Sequence, residues 1–202
     1  MPILESSWSV LLLWAAIGYL FGSIPSGVLL ARAMGLGNLR EIGSGNIGAT
    51  NVLRTGNKKA AVLTLLFDAG KAIVAILLAR AFVAEDAVQI TAIAAFFGHC
   101  FPVWLKFKGG KGVATYFGIM AVMAFPAVLA SCVIWLVVAA VFRYSSLAAL
   151  ITAGWTPIVM VFTGNGFTFF LGVVLGLGIY LRHLGNIGRL KRGEETKIGS
   201  KG

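Results

Sequence analysis

The sequence is poor in charged residues and poorest in acidic ones. Asp, Glu, Lys and Arg make up 12% of the 202 residues, hydrophobic residues make up 58%, and the mean hydropathy is +0.91. This composition excludes an ordinary water-soluble domain. Asp and Glu together number 7, and their positions contain no Ser-His-Asp arrangement of the kind that serves hydrolases.

Cysteine is also scarce. The chain contains 2 cysteines, Cys100 and Cys132, which lie far apart in sequence with no second Cys or His at metal-ligand spacing. This pattern does not indicate a disulfide framework or a metal site. We predict two buried thiols that pack as small apolar side chains, and we expect no metal ion and no cofactor.

The charge that is present is mostly positive, with a formal net charge of +10. A basic chain is compatible with nucleic-acid binding, but these Lys and Arg residues border apolar segments and no soluble domain presents them. Anionic lipid headgroups and anionic substrates are the better match, and no nucleic-acid partner is expected.

Long apolar runs are what the sequence does contain. A bilayer core of about 30 Å requires about 20 apolar residues of helix. We predict an all-α integral membrane protein of about seven transmembrane helices that form a single transmembrane catalytic domain over residues 1–202. The fourth and fifth spans are short, and one broken unit is the alternative for them. The predicted spans are Trp8–Met34, Ala60–Phe82, Ala87–Lys106, Val113–Phe125, Ala127–Phe142, Ser146–Phe162 and Phe167–Leu184.

The distribution of basic residues predicts the orientation. Of the 17 Lys and Arg residues, all except Lys71 and Arg80 fall on one side under this assignment. By the positive-inside rule that side is cytoplasmic, so we expect the N-terminus outside and the C-terminus in the cytoplasm. The first span lacks the features of a cleaved signal peptide and is expected to be retained. The polar cytoplasmic segments are then residues 35–59, 106–112, 143–146 and 185–202.

A glycine- and lysine-rich turn, the lysine–glycine loop (residues 106–112), separates the third and fourth predicted spans. Glycine permits positive φ, so successive N–H groups can point into one concavity, at which the following helix aims its positive end. We interpret the loop as a phosphate cradle; a juxtamembrane turn whose lysines meet headgroups is the alternative. The Walker spacing is absent, so no nucleotide site is indicated. The residues concerned are Lys106, Lys108, Gly109, Gly110, Lys111 and Gly112.

A second polar stretch, the serine–arginine segment (residues 44–54, SGNIGATNVLR), follows the first span. Arg54 can hold phosphate through its planar guanidinium group, and Ser44 can donate a hydrogen bond or, in principle, act as a nucleophile. Asn46 and Asn51 add further hydrogen-bonding groups. The alternative is a polar loop that caps the second span.

A third stretch, the C-terminal motif (residues 183–195), places His183, Asn186 and Arg189 three residues apart. On a helix this spacing puts them along one side. Because imidazole titrates near neutrality, His183 is a candidate general acid or base. An interfacial hydrogen-bonding residue is the alternative, and for His99 a structural role is favoured.

Asp68 and Lys71 lie three residues apart within the second predicted span. Charges in lipid are costly unless they are paired and turned inward, so we predict a structural ion pair. A membrane transporter of a small anion or phosphate ester would also use such charges, and this is the rival function. Against it, the polar stretches all lie on one predicted side, and the outer loops are short and nearly uncharged.

Taken in this order, SGNIGATNVLR, FKGGKGVAT and the His-x-x-Asn-x-x-Arg-Leu-x-x-Gly-x-Glu pattern at His183–Glu195 closely resemble the bacterial acyl-phosphate:glycerol-3-phosphate acyltransferase family (PlsY type). The resemblance covers essentially the whole chain. It implies a multi-pass enzyme of the bacterial inner membrane, with its active site on the cytoplasmic side. Its reaction would move a fatty acyl group from acyl phosphate to the sn-1 hydroxyl of glycerol 3-phosphate, giving lysophosphatidic acid and phosphate. This is the first step of phospholipid synthesis, and a soluble enzyme that forms acyl phosphate would be the upstream supplier.

The resemblance also implies residue roles at the matching motif positions. Ser44, Arg54, Lys111, His183 and Asn186 would be catalytic. Many family members have an acidic residue where this chain has Gly185, and some have Ser near Ala149, so neither position supplies a base here. We therefore expect substrate-assisted transfer, with His183 as proton acceptor the competing mechanism. Substrate- or phosphate-binding residues would be Asn46, Asn51, Lys106, Gly109, Gly110, Gly112 and Ser146, and structural support would come from Asp68, Lys71, Arg189 and Glu195.

Overall fold

The structure, a computed structural model, describes residues 4–199. The described residues form α-helices joined by turns and three short 3₁₀ segments. In chain order the helices are α1 (Trp8–Gly22), α2 (Ser26–Ala33), α3 (Ala49–Leu53), α4 (Lys58–Phe82), α5 (Glu85–Cys100), α6 (Val113–Met123), α7 (Phe125–Phe142), α8 (Ser145–Phe162), α9 (Phe169–Arg182) and α10 (Leu184–Arg192).

The chain folds into two compact units, one ending at Val122 and the other beginning at Met123. In the N-terminal unit, α1 packs along α5, and α4 packs against α1, α2, α3 and α5. The α1–α5 contact is close because glycines face the partner backbone: a Cβ placed on Gly18 would lie 2.4 Å from the Thr91 carbonyl oxygen, and one on Gly98 would lie 2.3 Å from that of Tyr19. Small residues thus set the distance between these helices.

The first predicted span, Trp8–Met34, is interrupted in the structure. Helix α1 ends at Gly22 and α2 begins at Ser26, with Pro25 between them. Proline has no N–H to continue the helical ladder, and it disfavours helical geometry in the residue before it, here Ile24. The Ile24 carbonyl oxygen instead accepts a hydrogen bond from Lys71 Nζ at 2.8 Å.

In the C-terminal unit, α7 packs against α8, and α8 packs against α9. The hydroxyls of Ser131 and Thr156 share a buried hydrogen bond of 2.8 Å across the first pair, and Tyr180 donates to the Leu150 carbonyl at 3.0 Å across the second. The chain bends by 59° between the segment ending at Arg182 and α10. Proline in the first turn of α7 suits a helix start.

Each of the seven predicted spans contains a helix of the structure. Five helical segments in the described residues are long and apolar enough to cross a membrane, and the bent Gly166–Arg182 and Leu184–Arg192 pair would make a sixth. Helix α6, with 11 residues, is shorter than a full crossing. The count of seven and the orientation of the termini stay predictions. Cys100 is buried as predicted, whereas Cys132 lies on a partly covered face of α7 and is only half-buried.

Candidate active site

Asn51 organises the serine–arginine segment. It is buried on α3, and its Oδ1 accepts from both the backbone N–H and the hydroxyl of Ser44, at 3.0 and 3.3 Å. Its Nδ2 donates to the carbonyls of Leu39 and Asn46, at 3.0 and 2.7 Å. These four bonds use the hydrogen-bonding capacity of the amide. Asn51 therefore fixes the loop that carries Ser44, and its predicted role in substrate binding stays a prediction.

Arg54 and Ser44 lie on the exposed side of this segment. Gly43 has a positive φ of +52°. A Cβ on this residue would lie 2.5 Å from Arg54 Cδ and 2.8 Å from Asn51 Oδ1. Glycine is therefore required for the Arg54 side chain to pass over the backbone at this point. Asn46 Oδ1 accepts from the Gly48 N–H at 2.9 Å. The role of Asn46 in binding substrate stays a prediction.

The lysine–glycine loop folds back onto the end of α5. The Gly109 N–H donates to the Cys100 carbonyl and the Gly110 N–H donates to the His99 carbonyl, both at 3.1 Å. These two amides are therefore occupied and cannot form the anion concavity that composition predicts. Phosphate binding by this loop stays a prediction, and the cationic side chains of Lys106 and Lys111 are its remaining candidates.

The glycines of this loop are instead needed for close approach. A Cβ on Gly109 would lie 2.1 Å from the His99 carbonyl oxygen, and one on Gly110 would lie 2.1 Å from His99 Nε2. Gly112 has φ +82, and a Cβ there would lie 2.3 Å from the Phe96 ring. The structure shows these glycines packed against α5, and their predicted phosphate-binding role stays a prediction.

Arg40 joins the two loops of the N-terminal unit, and sequence reasoning did not single it out. Its guanidinium donates to the Gly45 carbonyl at 3.3 Å and to the Lys108 carbonyl. The serine–arginine segment and the lysine–glycine loop are thereby held together. The sequence signal was weak, since Arg40 is one of several basic residues in the predicted cytoplasmic segment 35–59.

The predicted ion pair between Asp68 and Lys71 is present in the interior of the N-terminal unit. Lys71 Nζ lies 3.0 Å from Asp68 Oδ1, and both side chains are buried. His99 joins them, with its Nδ1 2.9 Å from Lys71 Nζ. The pair is one turn apart on α4, which is why helical spacing revealed it, whereas the contribution of His99 comes from α5.

Glu195 organises the C-terminal motif. Its Oε1 accepts from Ser146 Oγ at 2.7 Å and from Asn186 Nδ2 at 2.6 Å, and its Oε2 accepts from Arg189 Nε at 2.7 Å. The hydroxyl of Ser146 thus donates to Glu195. The predicted phosphate-binding role of Ser146 stays a prediction, since a hydroxyl can rotate from the carboxylate to a ligand. Asn186 is held in place by the same carboxylate.

His183 lies at the bend between α9 and α10 and is buried. Its backbone carbonyl accepts from the Ile187 N–H at 2.9 Å, which begins α10. Its Nδ1 lies 2.8 Å from the Ile179 carbonyl, and because a carbonyl can only accept, Nδ1 carries a proton. In the neutral ring Nε2 then holds the lone pair, which is the tautomer that a proton acceptor requires.

The carboxylate of Glu195 makes the C-terminal unit sensitive to acid. Burial raises the pKa of Glu195, but the hydrogen bonds from Ser146, Asn186 and Arg189 outweigh burial and hold the pKa below its ordinary value of 4.5. The stabilisation is therefore fully present above that value and is lost as the pH falls through the lower folded-state pKa.

We expect Glu195→Gln to lower the stability at pH 7 by about 1–3 kcal/mol, because it leaves Arg189 without its carboxylate. The gap from wild type should shrink as the pH falls below about 4.5. Thermal unfolding of both proteins in detergent, from neutral pH to about pH 3, measures how the gap changes. A gap that stays constant over this range would contradict the ion-pair explanation, and Glu194→Gln, at an exposed pair with Arg192, is the matched control.

Comparison with known proteins adds independent information on this arrangement. A sequence model described as "Glycerol-3-phosphate acyltransferase" matches residues 12–193 of the chain. A protein named glycerol-3-phosphate acyltransferase from Ruegeria pomeroyi is 57% identical over 201 residues, covering 100% of this chain and 99% of that protein.

Two solved structures have the same fold. One is the crystal structure of PlsY, an integral membrane glycerol 3-phosphate acyltransferase, in its glycerol 3-phosphate form; it is 36% identical, with a TM-score of 0.86, and covers 94% of this chain and 96% of that one. The other is its lysophosphatidic acid form, 34% identical, with a TM-score of 0.84 and coverage of 94% and 95%. The prediction of an all-α integral membrane fold is confirmed.

Proposed function

Because this chain belongs to the glycerol-3-phosphate acyltransferase family, we propose that it transfers a fatty acyl group from acyl phosphate to the sn-1 hydroxyl of glycerol 3-phosphate. Lysophosphatidic acid and inorganic phosphate are the products, and the step opens phospholipid synthesis. The observation that carries this proposal is the match over 94% of the chain to a structure in both a glycerol 3-phosphate and a lysophosphatidic acid form. The acceptor and the product of one reaction thus both bind to the same fold.

The chemistry requires positioning more than it requires a strong base. The sn-1 oxygen attacks the acyl carbonyl carbon, an ester C–O bond forms, and the bond from that carbon to the bridging phosphate oxygen breaks. The hydroxyl proton passes to the departing phosphate, which leaves as hydrogen phosphate, so atoms and charge balance. Since phosphate is a good leaving group with basic oxygens, orientation and electrostatic stabilisation can supply the catalysis.

The N-terminal unit supplies cations and donors for phosphate. Arg54 offers a planar bidentate donor set, and Lys111 and Lys106 offer point charges. The Ser44 hydroxyl, which can rotate from Asn51 to a ligand, and the NH₂ group of Asn46 add neutral donors. Together they lower the repulsion between two anionic substrates and hold them in the orientation that the attack requires.

The C-terminal motif supplies two further candidates. Asn186, fixed by Glu195, is a donor to the oxyanion that develops on the acyl carbonyl. His183, with Nδ1 protonated, is the alternative proton acceptor through Nε2. Proton transfer to the leaving phosphate is our preferred mechanism, and loss of His183 would then affect substrate orientation more than the pH dependence of the rate.

The protein is a bacterial membrane protein, as its relatives and its apolar helices indicate. We assign it to the cytoplasmic membrane with the three polar stretches on the cytoplasmic side, on the basis of the positive-inside rule. There it would receive acyl phosphate from a soluble enzyme that forms it, and its acyl chains would lie among membrane lipids. The comparisons give the rival transporter function no support.

A donor comparison tests the proposed reaction. Purified protein in detergent or lipid mesophase is given labelled glycerol 3-phosphate with either palmitoyl phosphate or palmitoyl-CoA. We expect labelled lysophosphatidic acid from the acyl phosphate and none from the thioester, because only acyl phosphate has a phosphate bonded directly to the acyl carbon, where the cationic loops would hold it. Product from palmitoyl-CoA alone would contradict the donor assignment, and failure with both donors in folded protein would contradict the reaction.

A further inference from the structure

A buried polar cluster in the N-terminal unit has no part in the reaction described above. Asp68 and Lys71 on α4 and His99 on α5 are 2%, 8% and 4% exposed. Lys71 Nζ also reaches the carbonyl of Ile24, in the break between α1 and α2. Three separate elements of the unit therefore meet at one ammonium group.

The imidazole of His99 lies beside both members of the Asp68–Lys71 pair. An ammonium group has three N–H donors and no acceptor, and Lys71 Nζ has three neighbours at hydrogen-bonding distance: the Ile24 carbonyl at 2.8 Å, Asp68 Oδ1 at 3.0 Å and His99 Nδ1 at 2.9 Å. His99 Nδ1 also lies 3.4 Å from Asp68 Oδ1. Both members of the pair therefore hold the ring: with its proton on Nε2, Nδ1 accepts from Lys71, and with its proton on Nδ1 it donates to Asp68.

The other edge of the His99 ring lies against the lysine–glycine loop. A Cβ placed on Gly110 would lie 2.1 Å from His99 Nε2 and 2.7 Å from Cε1, so the ring rests directly on the Gly110 backbone. The His99 carbonyl accepts the Gly110 N–H at 3.1 Å. His99 therefore holds Gly110, the residue immediately before Lys111, through both its ring and its backbone.

The far side of Lys111 is anchored to the same two helices. Gly112 lies directly against the Phe96 ring of α5, since a Cβ placed on Gly112 would be 2.3 Å from that ring. Thr115 in the first turn of α6 donates through Oγ1 to the Asp68 carbonyl on α4 at 3.0 Å. The backbone on both sides of Lys111 is thus attached to the helices that carry the buried cluster.

A stabilising role alone is a poor explanation for this cluster. A buried ion pair generally stabilises a fold no more than apolar side chains of similar volume would, because both charges lose their hydration. Unlike apolar side chains, these polar groups fix each other's orientation. Hydrogen bonds orient the Lys71 side chain, and Lys71 in turn orients the His99 ring against Gly110.

We propose that His99 is a positioning residue for Lys111: its ring, oriented by the Asp68–Lys71 pair, sets the backbone from which Lys111 reaches the phosphate of a substrate. This inference rests on the proposed function for the role of Lys111 in binding phosphate. The placement of the Lys111 backbone by His99 can be tested without any substrate.

The test uses His99→Asn, whose amide oxygen can still accept from Lys71 but whose shorter side chain does not reach Gly110. Thr91→Val is the matched control, since Thr91 is a buried residue of the same helix whose hydroxyl bonds within that helix, to the Ala87 carbonyl at 2.8 Å. Two quantities are measured for each variant and for wild type. The first is the KM for each phosphate substrate, compared with kcat. The second is the rate at which an amine-directed reagent labels Lys111, relative to the exposed Lys106.

We expect His99→Asn to raise the KM for a phosphate substrate about tenfold and to change the relative labelling rate of Lys111 about threefold or more. Thr91→Val should leave both readouts unchanged. If His99→Asn does not fold, His99→Gln is measured in the same way. Unchanged Lys111 labelling in a folded variant overturns the proposal, whatever its melting temperature. Inactive wild type would count against the proposed function instead, while the labelling result would still decide the role of His99.

Discussion

Lys111→Ala is expected to lower kcat/KM by about 100-fold or more, close to 3 kcal/mol of transition-state stabilisation. Lys111 follows two glycines whose backbone is fixed to α5, so its ammonium group leaves the loop from a defined position. Loss of that charge removes the partner of a doubly charged phosphate, which no neutral donor of the loop replaces. The loss should appear mainly as a higher KM for the substrate whose phosphate Lys111 binds.

The matched control is Lys108→Ala. Lys108 is exposed on the same loop, and its link to the rest of the unit is through its backbone carbonyl, which the substitution keeps. Steady-state kinetics of both variants, with melting temperatures to show that each is folded, make the comparison. Near-normal activity in folded Lys111→Ala, or an equal loss in both variants, would refute the assignment of Lys111 to phosphate binding.

Gly22→Ala is expected to destabilise the protein by about 3 kcal/mol or more, the largest structural effect we predict for a single methyl group. A Cβ on Gly22 would lie 1.9 Å from the Ala95 carbonyl oxygen and 2.7 Å from Ala95 Cα. These are backbone atoms of α5, which cannot rotate away as a side chain can. The two helices would have to separate, and the contacts along α1 and α5 would be lost.

Gly70→Ala is the matched control for this prediction. Gly70 also lies within an apolar helix, α4, but a Cβ there meets nothing within 4 Å. That substitution should be neutral or slightly stabilising, because alanine favours a helix over glycine by up to about 1 kcal/mol. Unfolding of both variants in detergent with increasing denaturant measures the difference. Equal stability of the two variants would contradict the close packing of α1 on α5.

The helices could be predicted from the sequence because hydropathy and length are local properties. Each predicted span contains a helix, and the Asp68–Lys71 pair was accessible because helical spacing places residues three apart on one side. The interruption at Pro25 was missed, although proline is a local signal, because the apolar run continues through it to Ala33.

The hydrogen bonds of the loops could not be predicted in the same way. Composition identifies a loop of lysines and glycines, but the direction of each N–H depends on which carbonyl the fold brings to it. Gly109 and Gly110 donate to the end of α5, so their amides are not available to an anion. The partner of Ser146 was equally inaccessible, since its hydroxyl donates to a carboxylate 49 residues away.

The other features that the sequence did not predict are contacts between residues far apart in the chain. His99 and Lys71 are separated by 28 residues, and Arg40 and Lys108 by 68, so neither pair has a periodic signature. The resemblance placed Glu195 among the supporting residues without showing what it supports. In the structure it holds Ser146, Asn186 and Arg189 at once, which only the three-dimensional arrangement reveals.

The measurement that tests the central claim most directly is ³¹P NMR of purified protein with glycerol 3-phosphate and palmitoyl phosphate together. Both substrates, lysophosphatidic acid and inorganic phosphate give separate signals in one sample. The proposed reaction predicts that lysophosphatidic acid and inorganic phosphate appear in equal amounts as both substrates disappear, and that omitting glycerol 3-phosphate stops phosphate release. Inorganic phosphate without lysophosphatidic acid, or no change in any signal with folded protein, would contradict acyl transfer from acyl phosphate.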